Sequence, residues 1–369
     1  MWHRMKNRIR VIHNLRQEET EYQKLFIDEP FQFESGAVIP TVNIAYETYG
    51  KLNDDGTNAI LVCHALTGDS HASSYNNPAG REGWWDGVIG NGKAFDPDKY
   101  FIVCSNFIGS CYGTSGSASI NPATNQKYNL SFPQMTIRDM VKLEHMLVTH
   151  LGIKKLITVT GGSLGGMQSL EWALLYPDFV ESIIPIACGA KHSAWAIGLN
   201  EIQRKAIMED PEWNGGNYYK QPVKGLSLAR MLAMMTYRSY YNFENRFSRN
   251  LRNNNGETPF YEVESYLHYQ GDKLVSRFDA NTYIYITRAM DSHDVSHRRG
   301  SIQNALSQIK AKTLSIGIDT DLLYPVKEQK EIADLIPGAK YCEIKSVYGH
   351  DAFLIEFEQM NKTIKEFLN

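Results

Sequence analysis

Short, unbroken apolar runs alternate along the chain with stretches of helical period, and this alternation sets the expected architecture. The runs Asn58 to Cys63, Tyr100 to Cys104, Leu156 to Thr160, Glu181 to Cys188 and Thr313 to Ile318 are rich in β-branched and apolar residues, and Tyr341 to Lys345 reads as a shorter, more polar final strand. Such text suits parallel strands covered on both faces. Phe31 to Tyr49 instead alternates apolar and polar residues across Gly36 and Pro40, as a pair of antiparallel strands opening the sheet would. Apolar residues near helical spacing over Ile137 to Leu151 predict a helix leading into the strand at Leu156. From Lys191 to Asn304 strand alternation fades. Helical stretches take over at Glu201 to Met208, Leu226 to Tyr241, Tyr261 to Ser276 and Thr282 to Met290. The expected class is α/β: a mostly parallel sheet flanked by helices, with an inserted helical cap. The divisions are an amino-terminal extension at 1–26, a first core part at 27–190, the cap at 191–304 and a second core part at 305–369.

The chain turns on residues 156–176. The strand at Leu156 to Thr160 meets Gly161-Gly162-Ser163-Leu164-Gly165, and a helix-forming segment follows until Pro177 and Asp178 stop it. A nucleophilic serine on so tight a strand-to-helix turn needs strained backbone angles, and side chains two residues to either side would strike neighbouring main chain. Glycine at both places removes the collision. G-x-S-x-G in this setting is the nucleophile elbow of α/β-hydrolase enzymes, with Ser163 at the start of a helix whose free N–H groups favour developing negative charge.

Composition narrows the function classes. With 43% hydrophobic residues over 369, the chain can bury a large core, and its net charge of −3 offers no electrostatic footprint for nucleic acid or an anionic membrane. Five scattered cysteines without a C-x-x-C pair read as small core residues in a reducing compartment. No membrane-spanning run is present, the first residues lack an apolar signal core, and Glu18, Glu19 and Glu21 argue against an organellar presequence. A cytoplasmic protein is expected. No internal repeat or low-complexity tract interrupts the order.

In this fold the triad runs serine, acid, histidine along the chain, the last two on loops after late strands. His350 meets that condition, whereas His192, His268, His293 and His297 fall in the cap. Asp319 and Asp321 both follow the strand ending at Ile318, and Asp321, four residues before Pro325, is favoured as the acid. The loop His64-Ala65-Leu66-Thr67-Gly68-Asp69-Ser70-His71 should supply one oxyanion donor, the N–H of Leu66, facing that of Leu164. His64 and His71 read as loop-fixing partners rather than bases. The run Asn106 to Ser117, rich in glycine and hydroxyl residues, lacks the order of a phosphate-binding loop and is expected to pack closely at the site's mouth. His293 and His297 would share a face if helical, as in a zinc site, but the glutamate beside the first is Asp294 and no third ligand is evident, so no metal is expected.

The chain resembles the homoserine O-acetyltransferases of methionine biosynthesis from about Phe31 to Leu354. The resemblance rests on residues 64–71, on Gly161-Gly162-Ser163-Leu164-Gly165-Gly166-Met167-Gln168, on Thr236-Tyr237-Arg238-Ser239 and on Gly349-His350-Asp351-Ala352-Phe353-Leu354. Gly113 to Ser119 departs from the family's usual Gly-Thr-Thr-Gly-Pro-Ser-Ser text. The resemblance implies Ser163, Asp321 and His350 as the triad and Arg230, Tyr237 and Asp351 as amino-acid-binding residues. It implies acetyl-CoA as co-substrate with no permanently bound cofactor, L-homoserine as acceptor, ping-pong acyl transfer, and a homodimer formed through the cap. Physical reasoning agrees on the pocket, because a buried amino acid needs a cation for its carboxylate, which Arg230 suits, and an anion for its ammonium, which Asp351 suits. Succinyl-CoA as donor and serine as acceptor share this chemistry. An esterase or thioesterase, and a non-catalytic binding protein on the same fold, are the alternatives of other classes.

Overall fold

Eight strands form the central sheet of the computed structural model, which describes residues 22–252 and 259–369. In chain order they are β1 (Gln23–Ile27), β2 (Val42–Tyr49), β3 (Ala59–Cys63), β4 (Phe101–Ser105), β5 (Leu156–Gly162), β6 (Ser182–Ile186), β7 (Lys312–Ile318) and β8 (Lys340–Ile344). Across the sheet they lie in the order β1-β2-β4-β3-β5-β6-β7-β8. The pairs β1–β2 and β2–β4 are antiparallel, and every pair from β4–β3 onward is parallel. All five residues of β3 and of β6 are buried, as their continuous apolar text requires. Successive residues serve opposite faces. Leu61, Val103, Val159 and Ile183 pack into the core on one side, and Ile60, Val62, Ile102 and Ile184 into the core on the other.

The antiparallel start of the sheet differs from expectation. Phe31–Gln32 pairs with Val38–Ile39 in a short separate ladder, while β2 finds its antiparallel partner in β1. Residues 23–26, assigned to an extension by sequence, therefore form the sheet's edge, and the remainder of that extension lies outside the described residues. The text of β1, Gln-Lys-Leu-Phe-Ile, is too short to show a period without its partner.

Helices flank the sheet and fill the insertion: α1 (Ile137–His150), α2 (Leu164–Leu175), α3 (Ala194–Met208), α4 (Val223–Tyr237), α5 (Tyr240–Phe247), α6 (Glu262–Val275), α7 (Ala280–Asp291), α8 (Ile302–Leu306), α9 (Val326–Leu335) and α10 (Phe357–Leu368). A reciprocal capping box between Thr136 and Asp139 starts α1. The single helix expected over Leu226 to Tyr241 is two. Arg238 is extended and the Ser239 side chain caps α5 by accepting from the Asn242 N–H, so the helix must end and restart there. Helices α3 to α7 stand between β6 and β7 and pack against one another, α4 against both α3 and α6.

Candidate active site

Strand β5 delivers Ser163 to the first turn of α2. Its backbone stands at φ 58°, ψ −119°, a conformation that L-residues rarely adopt. The conformation is held from both sides: the Ser163 N–H donates to the Ile186 carbonyl at 2.9 Å, and its carbonyl accepts from the N–H groups of Gly166 and Met167. A Cβ on Gly161 would lie 2.2 Å from the Cys63 carbonyl oxygen, and one on Gly165 would lie 2.1 Å from the same atom. Both glycines are therefore fixed by one carbonyl at the end of β3. The spacing of the motif is the geometry of that contact.

Asp321 and His350 meet from the loops that follow β7 and β8. Asp321 Oδ2 lies 2.7 Å from His350 Nδ1, and Asp321 Oδ1 accepts from the N–H groups of Leu323 at 2.8 Å and Tyr324 at 2.9 Å. One carboxylate oxygen is thus tied to its own loop and the other is left for the imidazole. Burial lowers the His350 pKa, but the charge and hydrogen bond of Asp321, with help from Asp351, outweigh it and hold the pKa above the ordinary value. Asp319 is engaged elsewhere, accepting from the Ser346 N–H at 3.0 Å. The acid and histidine loops are also tied together, because Thr320 Oγ1 donates to the Ser346 carbonyl and accepts from the Gly349 N–H. No hydrogen bond joins Ser163 Oγ to His350 among the described residues. Such bonds often tighten only when substrate is bound.

Leu66 and Leu164 lie where an oxyanion hole needs them in sequence. Leu164 opens α2, so its N–H has no carbonyl one turn back. The Leu66 N–H, in the turn after β3, donates to no group among the described residues. His64 and His71 fix this loop. His64 Nδ1 donates to the Ala65 carbonyl at 2.9 Å and its ring stacks on Phe107, while burial lowers its pKa to about 4 and keeps it neutral. His71 lies between the Glu47 carboxylate at 3.0 Å and the Arg81 carbonyl at 2.7 Å.

Arg230, Tyr237 and Asp351 come together around His350. The Tyr237 ring lies 5.7 Å from the His350 ring, and the Arg230 guanidinium lies 5.5 Å over Tyr237. Arg230 has no carboxylate within ion-pair distance among the described residues, whereas Asp351 pairs with Arg238 Nε at 3.1 Å. Burial raises the Asp351 pKa, and Arg238 and Arg230 oppose the rise. Arg238 was not assigned to the site from sequence. It stands at the break between α4 and α5, which seats directly on the histidine loop: a Cβ on Gly349, at φ +70°, would lie 2.7 Å from the Ser239 nitrogen and 2.8 Å from the Arg238 carbonyl carbon. Tyr324 was also missed, though its N–H holds Asp321 and its ring lies 5.3 Å from that of His350.

Other candidates are drawn elsewhere. His293 and His297 lie in a turn after α7 rather than on a helix, and His293 Nε2 is directed at the Gly189 carbonyl at 3.1 Å in the core. In the glycine-rich loop several amides are already engaged, Gly109 N–H on Ser115, Ser110 N–H on Phe107, Gly116 N–H on Ser119 and Ser115 N–H on Asn43 of β2. That use suits a packed loop rather than a phosphate cradle.

The sequence model of the alpha/beta hydrolase fold family matches residues 58–357. A homoserine O-acetyltransferase of Carboxydothermus hydrogenoformans is 51% identical over 347 residues, covering 91% of this chain and 92% of the relative. The crystal structure of homoserine O-acetyltransferase from Bacillus anthracis superposes with a TM-score of 0.88 at 32% identity, covering 95% of this chain and 97% of the other. The structure of esterase E22 gives a TM-score of 0.85 at 29% identity, covering 94% and 100%.

Proposed function

The chain belongs to the homoserine O-acetyltransferase family on the α/β-hydrolase fold, and from that premise we propose that it moves the acetyl group of acetyl-CoA to the hydroxyl of L-homoserine through an acetyl-Ser163 intermediate. The observation that carries this reading is the gathering of an unpaired cation, Arg230, and an acid, Asp351, around the imidazole of the Asp321–His350 pair. A simple esterase has no need of that pair of charges.

In the first half-reaction His350 Nε2 takes the Ser163 proton as Oγ attacks the thioester carbonyl. The N–H groups of Leu66 and Leu164 hold the tetrahedral oxyanion, and collapse expels CoA thiolate, which takes the proton back from His350. Asp321 keeps the Nδ1–H tautomer and stabilises the imidazolium. In the second, Arg230 binds the homoserine carboxylate as a planar fork, and Asp351 takes the ammonium. The side-chain hydroxyl then gives its proton to His350 and attacks the acetyl-serine, releasing O-acetylhomoserine and free Ser163. Water competes with the acceptor at this step, and helices α3 to α7, acting as a cap, position the amino acid and limit water. Acetyl-CoA is a co-substrate and no metal takes part. The product enters methionine biosynthesis in the cytoplasm. Leu228, Met235, Tyr240 and Tyr241 expose apolar surface on the cap, which suits contact with a second copy in a homodimer.

The test is free-thiol release from acetyl-CoA by the purified protein with homoserine, with serine or with neither, beside Ser163→Ala and a succinyl-CoA series. Homoserine-dependent release with O-acetylhomoserine formed supports the reading. Preference for serine or succinyl-CoA moves it within the family, and release independent of any amino acid makes the protein a hydrolase like the esterase it resembles.

A further inference from the structure

We propose that Arg277 is a positioning residue for the oxyanion hole, a strut by which the helical insertion holds the turn that carries the Leu66 N–H. Arg277 follows the end of α6, and its Nη1 donates to the Thr67 carbonyl at 2.7 Å and to the Tyr112 hydroxyl at 2.6 Å. It is half-buried, yet no carboxylate lies within ion-pair distance among the described residues. A partly buried guanidinium spent on a main-chain carbonyl and a phenol makes charge-assisted bonds to neutral acceptors, and the segments that it binds are held accordingly.

The turn leaves little freedom at its other carbonyl. Ala65 accepts from the Gly68 N–H at 2.9 Å and from His64 Nδ1 at 2.9 Å. The Ala65 carbonyl and the Leu66 N–H belong to one planar peptide and point in opposite directions, so holding the oxygen aims the N–H. Rotation of the Thr67 peptide would open the turn and release that aim, and Arg277 is the group that binds its oxygen. Tyr112 is itself fixed. Its carbonyl accepts from Asn106 Nδ2 at 2.7 Å, and its ring meets Phe278 edge to face. Three segments distant in sequence thus converge on one guanidinium: the oxyanion turn, the glycine-rich loop and the insertion. Seating of the insertion and formation of the hole are thereby one event.

This inference rests on the reading of Leu66 as an oxyanion donor. It is tested with the full-length protein by comparing Arg277→Gln and Arg277→Lys with the parent on two acetyl donors, acetyl-CoA and p-nitrophenyl acetate, which has no nucleotide. Inhibition by an uncharged trifluoromethyl ketone, which forms an anionic tetrahedral adduct with Ser163, is measured in parallel. Arg277→Gln is expected to lower kcat roughly 10- to 100-fold on both donors and to weaken the ketone by a similar factor, with KM for acetyl-CoA little changed. Arg277→Lys should recover part of the loss. A lowered melting temperature with kcat intact would reduce the residue to a structural contact, and a rise confined to KM for acetyl-CoA would make it a phosphate ligand; either overturns the proposal. Should Arg277→Gln fail to fold, Tyr112→Phe removes one of the strut's two anchors, and an equal loss of about threefold on both donors is then expected; no loss overturns the idea. If the parent protein showed no homoserine-dependent transfer while these losses on p-nitrophenyl acetate persisted, the strut would stand and the proposed acceptor would fall.

Discussion

Asp321→Asn offers a severe test of the triad, because the structure dictates which way the new amide must face. Oδ1 of Asp321 accepts two backbone N–H groups, from Leu323 and Tyr324. An asparagine that turned its NH₂ toward them would lose two hydrogen bonds and oppose donor to donor, at about 1–3 kcal/mol for each group left unmet. Its oxygen therefore stays there, and the NH₂ takes the place of Oδ2, 2.7 Å from His350 Nδ1. A donor now faces the nitrogen that carried the proton. His350 relieves the conflict by moving its proton to Nε2, where it can no longer accept from Ser163. The fold is barely disturbed, since the side chain is isosteric and keeps both backbone bonds. The rate of acetylation should fall by roughly 10³- to 10⁴-fold, with KM for acetyl-CoA nearly unchanged. Stopped-flow measurement of thiol release in a single turnover reads this step alone. A loss below about tenfold, with the variant folded, would mean that the tautomer of His350 is not set by Asp321, and the assigned acid would be wrong.

Other consequences concern the acceptor, pH and the buried interior. Arg230→Gln and Asp351→Asn should each raise KM for homoserine by roughly 30- to 1000-fold, corresponding to about 2–4 kcal/mol for a charge left without its partner, while leaving the acetylation step within a few-fold; steady-state kinetics varying each substrate separates the two. The base must be neutral to work, so acetylation should rise with pH through an apparent pKa above the ordinary 6.5 of histidine, and this limb should move to lower pH in Asp351→Asn, as the pH profile of kcat/KM for acetyl-CoA will show. Burial raises the pKa of Glu144 from 4.5 to about 8, although Trp172 Nε1 and Cys63 Sγ donate to it. Folding therefore favours its protonated form, and its contribution to stability is full below pH 4.5 and is lost progressively as pH rises through about 8. Denaturant unfolding should find Glu144→Gln, which cannot ionise, gaining on the parent across that window, and a constant difference with pH would refute the assignment.

The parts of the site that could be read from sequence are those set by local backbone. Ser163 is announced by two glycines that one carbonyl demands, and His350 by its place after the last strand. The choice of Asp321 over Asp319 agrees with the turn in which Leu323 and Tyr324 fold back on the acid, a contact only two and three residues long. What could not be read depends on partners far along the chain. Arg238 stands inside a stretch that carries the family resemblance, yet its pairing with Asp351 follows from the break at Ser239, and the serine that caps α5 reads in the sequence as helix interior. Strand β1 is defined by its ladder with β2 rather than by its own period. No spacing announces that Arg277 reaches Thr67, 210 residues away.

Strands β6 and β7 are hydrogen-bonded neighbours although residues 187–311 run between them. Closing so long a loop costs only about 2 kcal/mol more than closing one of ten residues, since the entropy grows with the logarithm of length. The larger effect is on timing. A chain emerging from the ribosome presents Leu66 and Ser163 early, then the whole insertion, and Asp321 and His350 only near its end. On the proposed mechanism the nucleophile is thus synthesised long before its base. On that mechanism an unfinished chain would hold an inert serine, and acyl chemistry would begin only once the insertion proposed to govern the acceptor had already been made.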